Sequence, residues 1–286
     1  SEVDALGSIT QVDTALSAHI DAILAHPLVD VAAIKSKGFK VVVDGVNSSG
    51  GIAVPMLLEK LGAHTIPIHC TPNGEFPHNP EPLKENLTDL SEVVRSSDAQ
   101  LGIAVDPDVD RLVFVDEHGV LFGEEYTLVC CADYVLQHQK GAVVSNLSSS
   151  RALADLATTY QVPYYASAVG EVHVVEKMKA VDAVIGGEGN GGVILPSLHY
   201  GRDALIGIAL FLSYLAKEAV AVSQLKNRYT NYVMRKQKIA LSPDWDVDAL
   251  LVFIVETFQS EQVTTIDGLK IDFDDSWIHL RKSNTE

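Results

Sequence analysis

Between residues 39 and 217, short apolar runs alternate with segments of helical spacing, and that alternation admits few folds. Phe39-Lys-Val-Val-Val-Asp-Gly45 is apolar, β-branched and closed by glycine, the pattern of a buried strand. Ile52 to Leu61 reads as a helix, His64 to Cys70 as a strand, Leu83 to Ser96 as a helix and Leu101 to Asp106 as a strand. Residues 71–82 hold four prolines and read as a loop. The pattern then starts again. Strands are expected at Leu112 to Val115, Val143 to Leu147, Tyr164 to Val169 and Ala183 to Gly186. Helices are expected at Glu124 to Gln137, Arg151 to Tyr160, Val172 to Lys179 and Asp203 to Lys217. Strands alternating with helices imply βαβ units and a mostly parallel sheet. The expected class is therefore α/β, with two successive mixed, mostly parallel βαβ domains. The architecture repeats; the sequence does not.

Ahead of this, Val12, Leu16, Ile20 and Ile23 predict a helix over residues 10–25 that Pro27 stops. Beyond about Asn231 the character changes. Tyr232 to Leu241 reads as extended, Val247 to Phe258 as helical, and Leu269 to Phe273 and Trp277 to Leu280 as strands. This is the expected start of a smaller α+β domain, and the sequence stops directly after its last strand. The expected divisions are 1–119, 120–222 and 223–286.

The 286 residues suffice for two or three domains. A net charge of −17 argues against nucleic acid as the main partner, since phosphate backbones need clustered Lys and Arg. No apolar run reaches the ~18 to 20 residues of a membrane span, and Ser1 to Leu6 does not read as a basic, apolar signal. A cytoplasmic protein without membrane partners is expected; oligomeric state is not legible. Cys70, Cys130 and Cys131 are odd in number with two adjacent, a poor disulfide framework. The apolar helical stretch Tyr126 to Leu136 predicts buried thiols at Cys130 and Cys131.

The sharpest segment is Gly102-Ile-Ala-Val-Asp-Pro-Asp-Val-Asp-Arg-Leu-Val-Phe-Val-Asp116. If the loop stays extended, alternation points Asp106, Asp108 and Asp110 the same way. Three clustered carboxylates repel unless a cation or arginine neutralises them. Oxygen-only ligands suit Mg²⁺, Mn²⁺ or Ca²⁺. Arg111 then stands beside the metal, where a planar cation can hold a phosphate oxygen. A solvated acidic turn is the plainer alternative, but the carboxyl end of an apolar strand is where open α/β sheets place their sites. An EF-hand loop is disfavoured because Arg111 occupies the position that needs glycine, although Glu117 falls at the twelfth. A haloacid-dehalogenase-type phosphatase also uses strand-Asp-x-Asp, but would place Thr or Val where Asp110 stands.

Ile185-Gly-Gly-Glu-Gly-Asn-Gly-Gly-Val193 follows an expected strand. Gly187, Gly189 and Gly192 formally match a dinucleotide fingerprint, a weak signal alone. Val193 to Pro196 reads as a second strand, so no helix N-terminus follows to receive a pyrophosphate. No Lys-Ser/Thr follows either, which excludes a Walker loop. A neutral ligand with hydroxyls fits better. Glycines allow close backbone approach, Glu188 accepts hydrogen bonds, and Asn190 both donates and accepts. A tight hairpin with an incidental glutamate is the alternative.

Taken together in chain order, these segments resemble the α-D-phosphohexomutases, which include phosphoglucomutase/phosphomannomutase and phosphoglucosamine mutase. The family's metal loop, Asp-x-Asp-x-Asp-Arg, is matched by Asp106, Asp108, Asp110 and Arg111. Its sugar loop, Gly-Glu-x-Ser/Asn-Gly, is matched by Gly187 to Gly191. Its phosphate loop, Arg-x-Ser-Asn/Gly-Thr-Glu-Pro, is matched by Arg281, Ser283, Asn284, Thr285 and Glu286. Val43-Asp44-Gly45 with Asn47-Ser-Ser-Gly50 resembles the opening of the family's second domain. The resemblance implies that this chain holds the second, third and part of the fourth of four domains. The first, with a Thr-Ala-Ser-His-Asn-Pro loop whose serine is phosphorylated, is expected to be missing. Phe76-Pro-His-Asn-Pro80 lacks the serine and reads as a decoy.

The resemblance further implies transfer of a phosphoryl group between the 1- and 6-positions of a hexose or hexosamine phosphate, through phosphoserine and a bisphosphate intermediate. Mg²⁺ on Asp106, Asp108 and Asp110 would neutralise charge, and Arg111 would steady the transferring group. Glu188 and Asn190 would hold sugar hydroxyls. Arg281, Ser283, Asn284 and Thr285 would grip the second phosphate. Arg202 follows His199-Tyr-Gly201 and is a further substrate contact; Asp203 also reads as a helix N-cap. Gly170, Glu171 and His173 are expected in a loop that the family turns toward the sugar. Asn190 in place of Ser leaves glucosamine, glucose and mannose phosphates open, with glucosamine phosphate favoured. Without the serine the chain alone is expected to be inactive or nearly so. A non-catalytic sugar-phosphate-binding module and a Mg²⁺-dependent phosphatase using Asp106 or Asp108 are the competing readings.

Overall fold

The computed structural model describes residue 7 and residues 10–240 and 245–282, Asp248 by its backbone only. Two α/β units follow one another and share a topology. In the first, α1 (Ala15–Ala25) and α2 (Val31–Lys37) precede β1 (Lys40–Asp44), α3 (Gly50–Lys60), β2 (His64–Ile68), α4 (Thr88–Ser96), β3 (Leu101–Val105) and β4 (Leu112–Val115). In the second, α5 (Glu124–His138), β5 (Val143–Asn146), α6 (Ala152–Tyr160), β6 (Tyr164–Ser167), α7 (Glu171–Val181), β7 (Ile185–Glu188) and β8 (Gly192–Ile194) lead into α8 (Ala204–Glu218) and α9 (Val222–Lys226). The sheets have orders β2-β1-β3-β4 and β6-β5-β7-β8. In each, three strands are parallel and the last turns back antiparallel through a short loop. The repeat is therefore architectural, and the two closing loops occupy equivalent places.

The strands that read as continuous apolar runs are buried, including β4 at the end of its sheet. β3 and β4 are buried along their whole length, as a sheet covered on both faces requires. β2 carries Pro67 and is partly exposed, in keeping with its edge position. Asp30 caps α2 by accepting the Ala33 N–H at 2.8 Å, and Gly38 ends it in the left-handed region. Of the fifteen residues of α8, Ala204 to Ala216 are buried, because α5, α1 and α2 surround it. Phe211 of α8 stacks on Phe114 of β4 at 3.7 Å. One apolar core thus runs from Ile20 to Leu225 through both units. Cys130 and Cys131 are free thiols inside it.

The third unit is α10 (Val247–Thr257) with an antiparallel sheet β9 (Gln262–Thr264), β10 (Leu269–Asp272) and β11 (Trp277–Leu280), in the order β11-β10-β9. Several boundaries differ from the expectation. The first helix starts at Ala15 and leaves Val12 65% exposed, so that apolar position has no core to face. The segment from Leu83 is a 3₁₀ turn (Lys84–Asn86) and then α4, broken where Leu87 leaves helical angles. Residues 232–240 pair with no strand among the described residues. The short elements α2, α9 and β9 lack enough periods to register in the sequence.

Candidate active site

The acidic loop joins β3 to β4. It is not extended: the Val109 N–H donates to the Asp106 carbonyl at 3.1 Å, and Val109 has φ 62. Convergence comes from this turn and not from strand alternation. A carboxylate oxygen from each of Asp106, Asp108 and Asp110 lies within 4.8 Å of the others. Asp106 is fully buried. Its Oδ1 accepts the N–H groups of Asp110 (3.1 Å) and Arg111 (3.0 Å), and its Oδ2 accepts Arg111 Nε (2.6 Å). Burial pushes Asp106 up, but these donors outweigh it and hold the carboxyl below the usual range. Asp110 moves the other way. Burial, then Asp106 and Asp108 beside it, push it up to about 7 against the pull of Arg202. Its Oδ1 is buried with no hydrogen-bond partner. Three oxygen donors and an orphaned carboxylate oxygen fit a hard divalent cation.

Arg111 is already engaged on a second side. Its Nη1 donates to Glu81 Oε2 at 2.5 Å, a residue that no motif singles out. Burial lowers its proton affinity, but Asp106 and Glu81 outweigh that and raise it.

The glycine turn joins β7 to β8, the equivalent place in the second sheet, and the two turns meet. Leu112 donates its N–H to the Gly191 carbonyl at 3.1 Å, and Arg111 forms a β-bridge with Gly192. Gly191 has φ 94, and a Cβ there would run into the Leu112 carbonyl oxygen. Glu188 is 4% exposed. Its Oε1 accepts Asn146 Nδ2 (2.7 Å) and the Gly170 N–H (3.2 Å), and its Oε2 accepts Arg202 Nη1 (2.7 Å). The other terminal nitrogen of Arg202 donates to Asp110 Oδ2. One guanidinium therefore joins the acidic loop to the glycine turn. Asn190 folds back, its Oδ1 accepting the Gly192 N–H at 3.2 Å.

Gly170 and Glu171 stand beside this pair, with a correction. Gly170 is the N-cap of α7, while Glu171 and His173 lie in the helix and not in a loop. Glu171 Oε1 accepts the Arg202 N–H at 2.8 Å. His173 is exposed, 3.7 Å from Glu176, and makes no contact with Glu188 or Arg202 among the described residues. Asp203 caps α8 through the Leu205 and Ile206 N–H groups and also meets His19 (2.8 Å) and His199 (3.0 Å). An open cavity of about 790 Å³ is lined by Asp108, Val109, Arg202, Asp203, His19 and Ser49 among others. Arg281 follows β11, 4.0 Å from Asp267, whose carboxylate also accepts the Val169 N–H at 2.9 Å. Ser283, Asn284 and Thr285 lie outside the described residues.

Sequence reasoning missed Asn146, Ser149 and Glu125, which line the underside of the glycine turn. Ser149 Oγ accepts the Gly189 N–H at 3.0 Å, and a Cβ on Gly189 would strike the Glu125 carboxylate. The polar run Asn146-Leu-Ser-Ser-Ser150 at the end of apolar β5 was the available signal.

Residues 17–119 match the family model for phosphoglucomutase/phosphomannomutase, alpha/beta/alpha domain II, and residues 123–232 match that for domain III. The chain belongs to the α-D-phosphohexomutase family. It is 36% identical to a phosphoglucomutase/phosphomannomutase of Thermococcus kodakarensis, over 90% of this chain and 57% of that protein. It is 32% identical to a phosphoglucosamine/phosphogalactosamine mutase of Sulfurisphaera tokodaii, over 96% of this chain and 61% of that protein. A crystal structure of a phosphoglucomutase/phosphomannomutase family protein from Burkholderia thailandensis superposes with a TM-score of 0.83 at 27% identity, covering 98% of this phosphohexomutase chain and 60% of that one. The chain thus spans about three-fifths of the length of these relatives. Among the described residues, no helix of the chain is long and apolar enough to cross a membrane.

Proposed function

We propose that this phosphohexomutase chain supplies the cation-binding and sugar-binding walls for moving a phosphoryl group between the 1- and 6-positions of a hexose or hexosamine phosphate. One contact supports this above all: Arg202 bridges Asp110 and Glu188, so the acidic loop and the glycine turn form one continuous surface. A cation site and a hydroxyl-recognising site placed this way can hold the two ends of one sugar phosphate.

Asp106, Asp108 and Asp110 would hold Mg²⁺, which when bound supplies charge neutralisation at the transferring phosphoryl group. Arg111, with Nε on Asp106 and Nη1 on Glu81, is locked in place and keeps its remaining N–H groups for a phosphate oxygen. Glu188 and Asn190 orient sugar hydroxyls. Glu188 Oε1 already accepts two protein donors and Oε2 only one, so Oε2 retains a lone pair for a hydroxyl. Arg202, Gly170 and Glu171 fix Glu188 from behind. Arg281, with Ser283, Asn284 and Thr285, grips the phosphate that is not reacting, and such a remote grip supplies orientation. The donor is taken to be a phosphoserine. The 286 residues hold no Thr-Ala-Ser-His-Asn-Pro loop, so this chain alone should bind without turnover. Glucosamine phosphate is the favoured sugar. The phosphatase reading loses Asp106 as a nucleophile, since both its oxygens are buried under Arg111 and Asp110 donors, and rests on Asp108 alone.

The test is a calorimetric Mg²⁺ titration of the chain and of Asp108→Asn, with and without glucose 1,6-bisphosphate. Binding should be weak in the wild type, strengthened by the bisphosphate and at least about tenfold weaker in the variant, a loss of about 1.4 kcal/mol. Equal Mg²⁺ affinity in both proteins would remove the acidic loop from the reading.

A further inference from the structure

A second cluster of ligating side chains lies one strand away from the acidic loop, at the carboxyl ends of β1 and β2. Asp44 closes β1 and is 1% exposed. Its Oδ1 accepts the Val46 N–H at 3.0 Å, and its Oδ2 lies 3.0 Å from His78 Nε2. The other ring nitrogen of His78, Nδ1, is 2.8 Å from the Asn79 carbonyl oxygen. A carbonyl only accepts, so Nδ1–H donates to it and Nε2 is left facing the carboxylate. What lies between that nitrogen and Oδ2 must be positive, a proton on Nε2 or a metal ion.

His69 supplies the third arm. One ligating atom from each of Asp44, His69 and His78 lies within 4.8 Å of the others. His69 reaches this place with φ 49, a left-handed conformation that non-glycine residues seldom hold. Its Nε2 is 3.3 Å from Asp89 Oδ2, and its ring stands edge-on to that of His78. A proton shared by Asp44 and His78 needs no third ligand, whereas a metal ion does. Two imidazoles and a carboxylate suit Zn²⁺, Co²⁺ or Ni²⁺ and not Mg²⁺ or Ca²⁺. A tetrahedral site with bonds of about 2.0–2.1 Å has ligand–ligand edges of about 3.4 Å, so the Asp44–His78 edge would open by only a few tenths of an ångström. The neighbouring thiol does not join. Cys70 instead turns its thiol to the Ile68 (3.2 Å) and Val43 (3.5 Å) carbonyls.

We propose that Asp44, His69 and His78 form a transition-metal site of the zinc class, separate from the carboxylate loop and with one position open to water or an external ligand. The site pins the proline-rich loop of residues 71–82 to the sheet. Glu81, three residues beyond His78, is the carboxylate that accepts Arg111 Nη1. Ser48 and Ser49, just past β1, donate to the Pro107 carbonyl at 2.9 Å and 2.5 Å. Occupancy here therefore fixes the partners of the acidic loop from both sides.

Titration of the chain with Co²⁺, followed by visible absorption, tests this. One equivalent should bring up the intense bands of four-coordinate cobalt. The bands should persist in Asp108→Asn and under excess Mg²⁺, and Zn²⁺ should displace them one for one. His78→Gln and His69→Gln should each weaken Co²⁺ binding at least tenfold. Absence of the bands in the wild type would overturn the proposal, as would their survival in both histidine variants or their loss in Asp108→Asn. If a histidine variant melts before titration, the wild type decides: bands that Mg²⁺ removes belong to the carboxylate loop and sink the proposal, and bands that only Zn²⁺ removes uphold it.

Discussion

The Leu112 N–H donates to the Gly191 carbonyl at 3.1 Å, across the gap between two separate sheets. Each residue belongs to the returning hairpin of its own α/β unit, so the repeated topology brings two equivalent turns face to face. One turn carries the acids and the other the glycines. The proposed chemistry lies along this seam.

Gly191→Ala should therefore be costly out of proportion to one methyl group. Its φ of 94 is strained for alanine, and the clash is with backbone, which cannot step aside. A loss of about 2 kcal/mol or more is expected from urea unfolding. A loss within about 0.5 kcal/mol, the range of an ordinary surface change, would show that the seam yields.

Arg202 is a stricter case, because its planar fork reaches Glu188 and Asp110 at once. Arg202→Ala leaves two largely buried carboxylates facing each other, and removing one member of such a pair costs about 3–5 kcal/mol. Arg202→Lys keeps the charge but loses the fork, so it should recover less than half of the loss. Denaturation midpoints of the three proteins decide this, and a lysine variant as stable as the wild type would reduce Arg202 to a point charge.

Glu125 should give the stability an uncommon pH slope. It lies under Gly189 with Oε2 accepting the Ser150 N–H at 2.8 Å and Oε1 unpartnered. Burial pushes it up to about 7, with the Ser150 N–H opposing. Between its ordinary value of 4.5 and that value, the folded state holds a proton that the unfolded chain has released. Its contribution is complete below the ordinary value and is lost as pH rises toward about 7. In Glu125→Gln the slope should become shallower, Asp110 keeping its own share, in a series of urea midpoints taken from about pH 5 to about pH 8. Parallel curves for the two proteins would mean that Glu125 is ionised in the fold.

The strands legible in the sequence were those whose own side chains suffice to define them. Val41-Val-Val43 and Leu112 to Val115 are apolar on both faces, and both became buried strands, the first inside the sheet and the second at its edge. The acidic loop was legible because three aspartates at alternate positions call for neutralising charge whatever the backbone does. What the sequence could not show is set by partners remote in the chain. Glu81 acquires meaning only where the proline-rich loop brings it to Arg111. Gly189 is glycine because Glu125, 64 positions earlier, lies beneath it. His173 was expected in a loop, yet Gly170 starts α7 there and carries it onto an exposed helix face.

The third unit is held differently from the other two. Among the described residues, the buried members of the apolar clusters end at Leu225. Beyond that point polar contacts carry the attachment: Arg151 to the Phe273 and Ser276 carbonyls, Ser148 to His279, and Asp267 to the Val169 N–H. Water can replace each of these bonds at small net cost, whereas the core shared by the first two units resists any shear. The antiparallel sheet that Arg281 follows is thus expected to yield to denaturant before the seam between the two turns does.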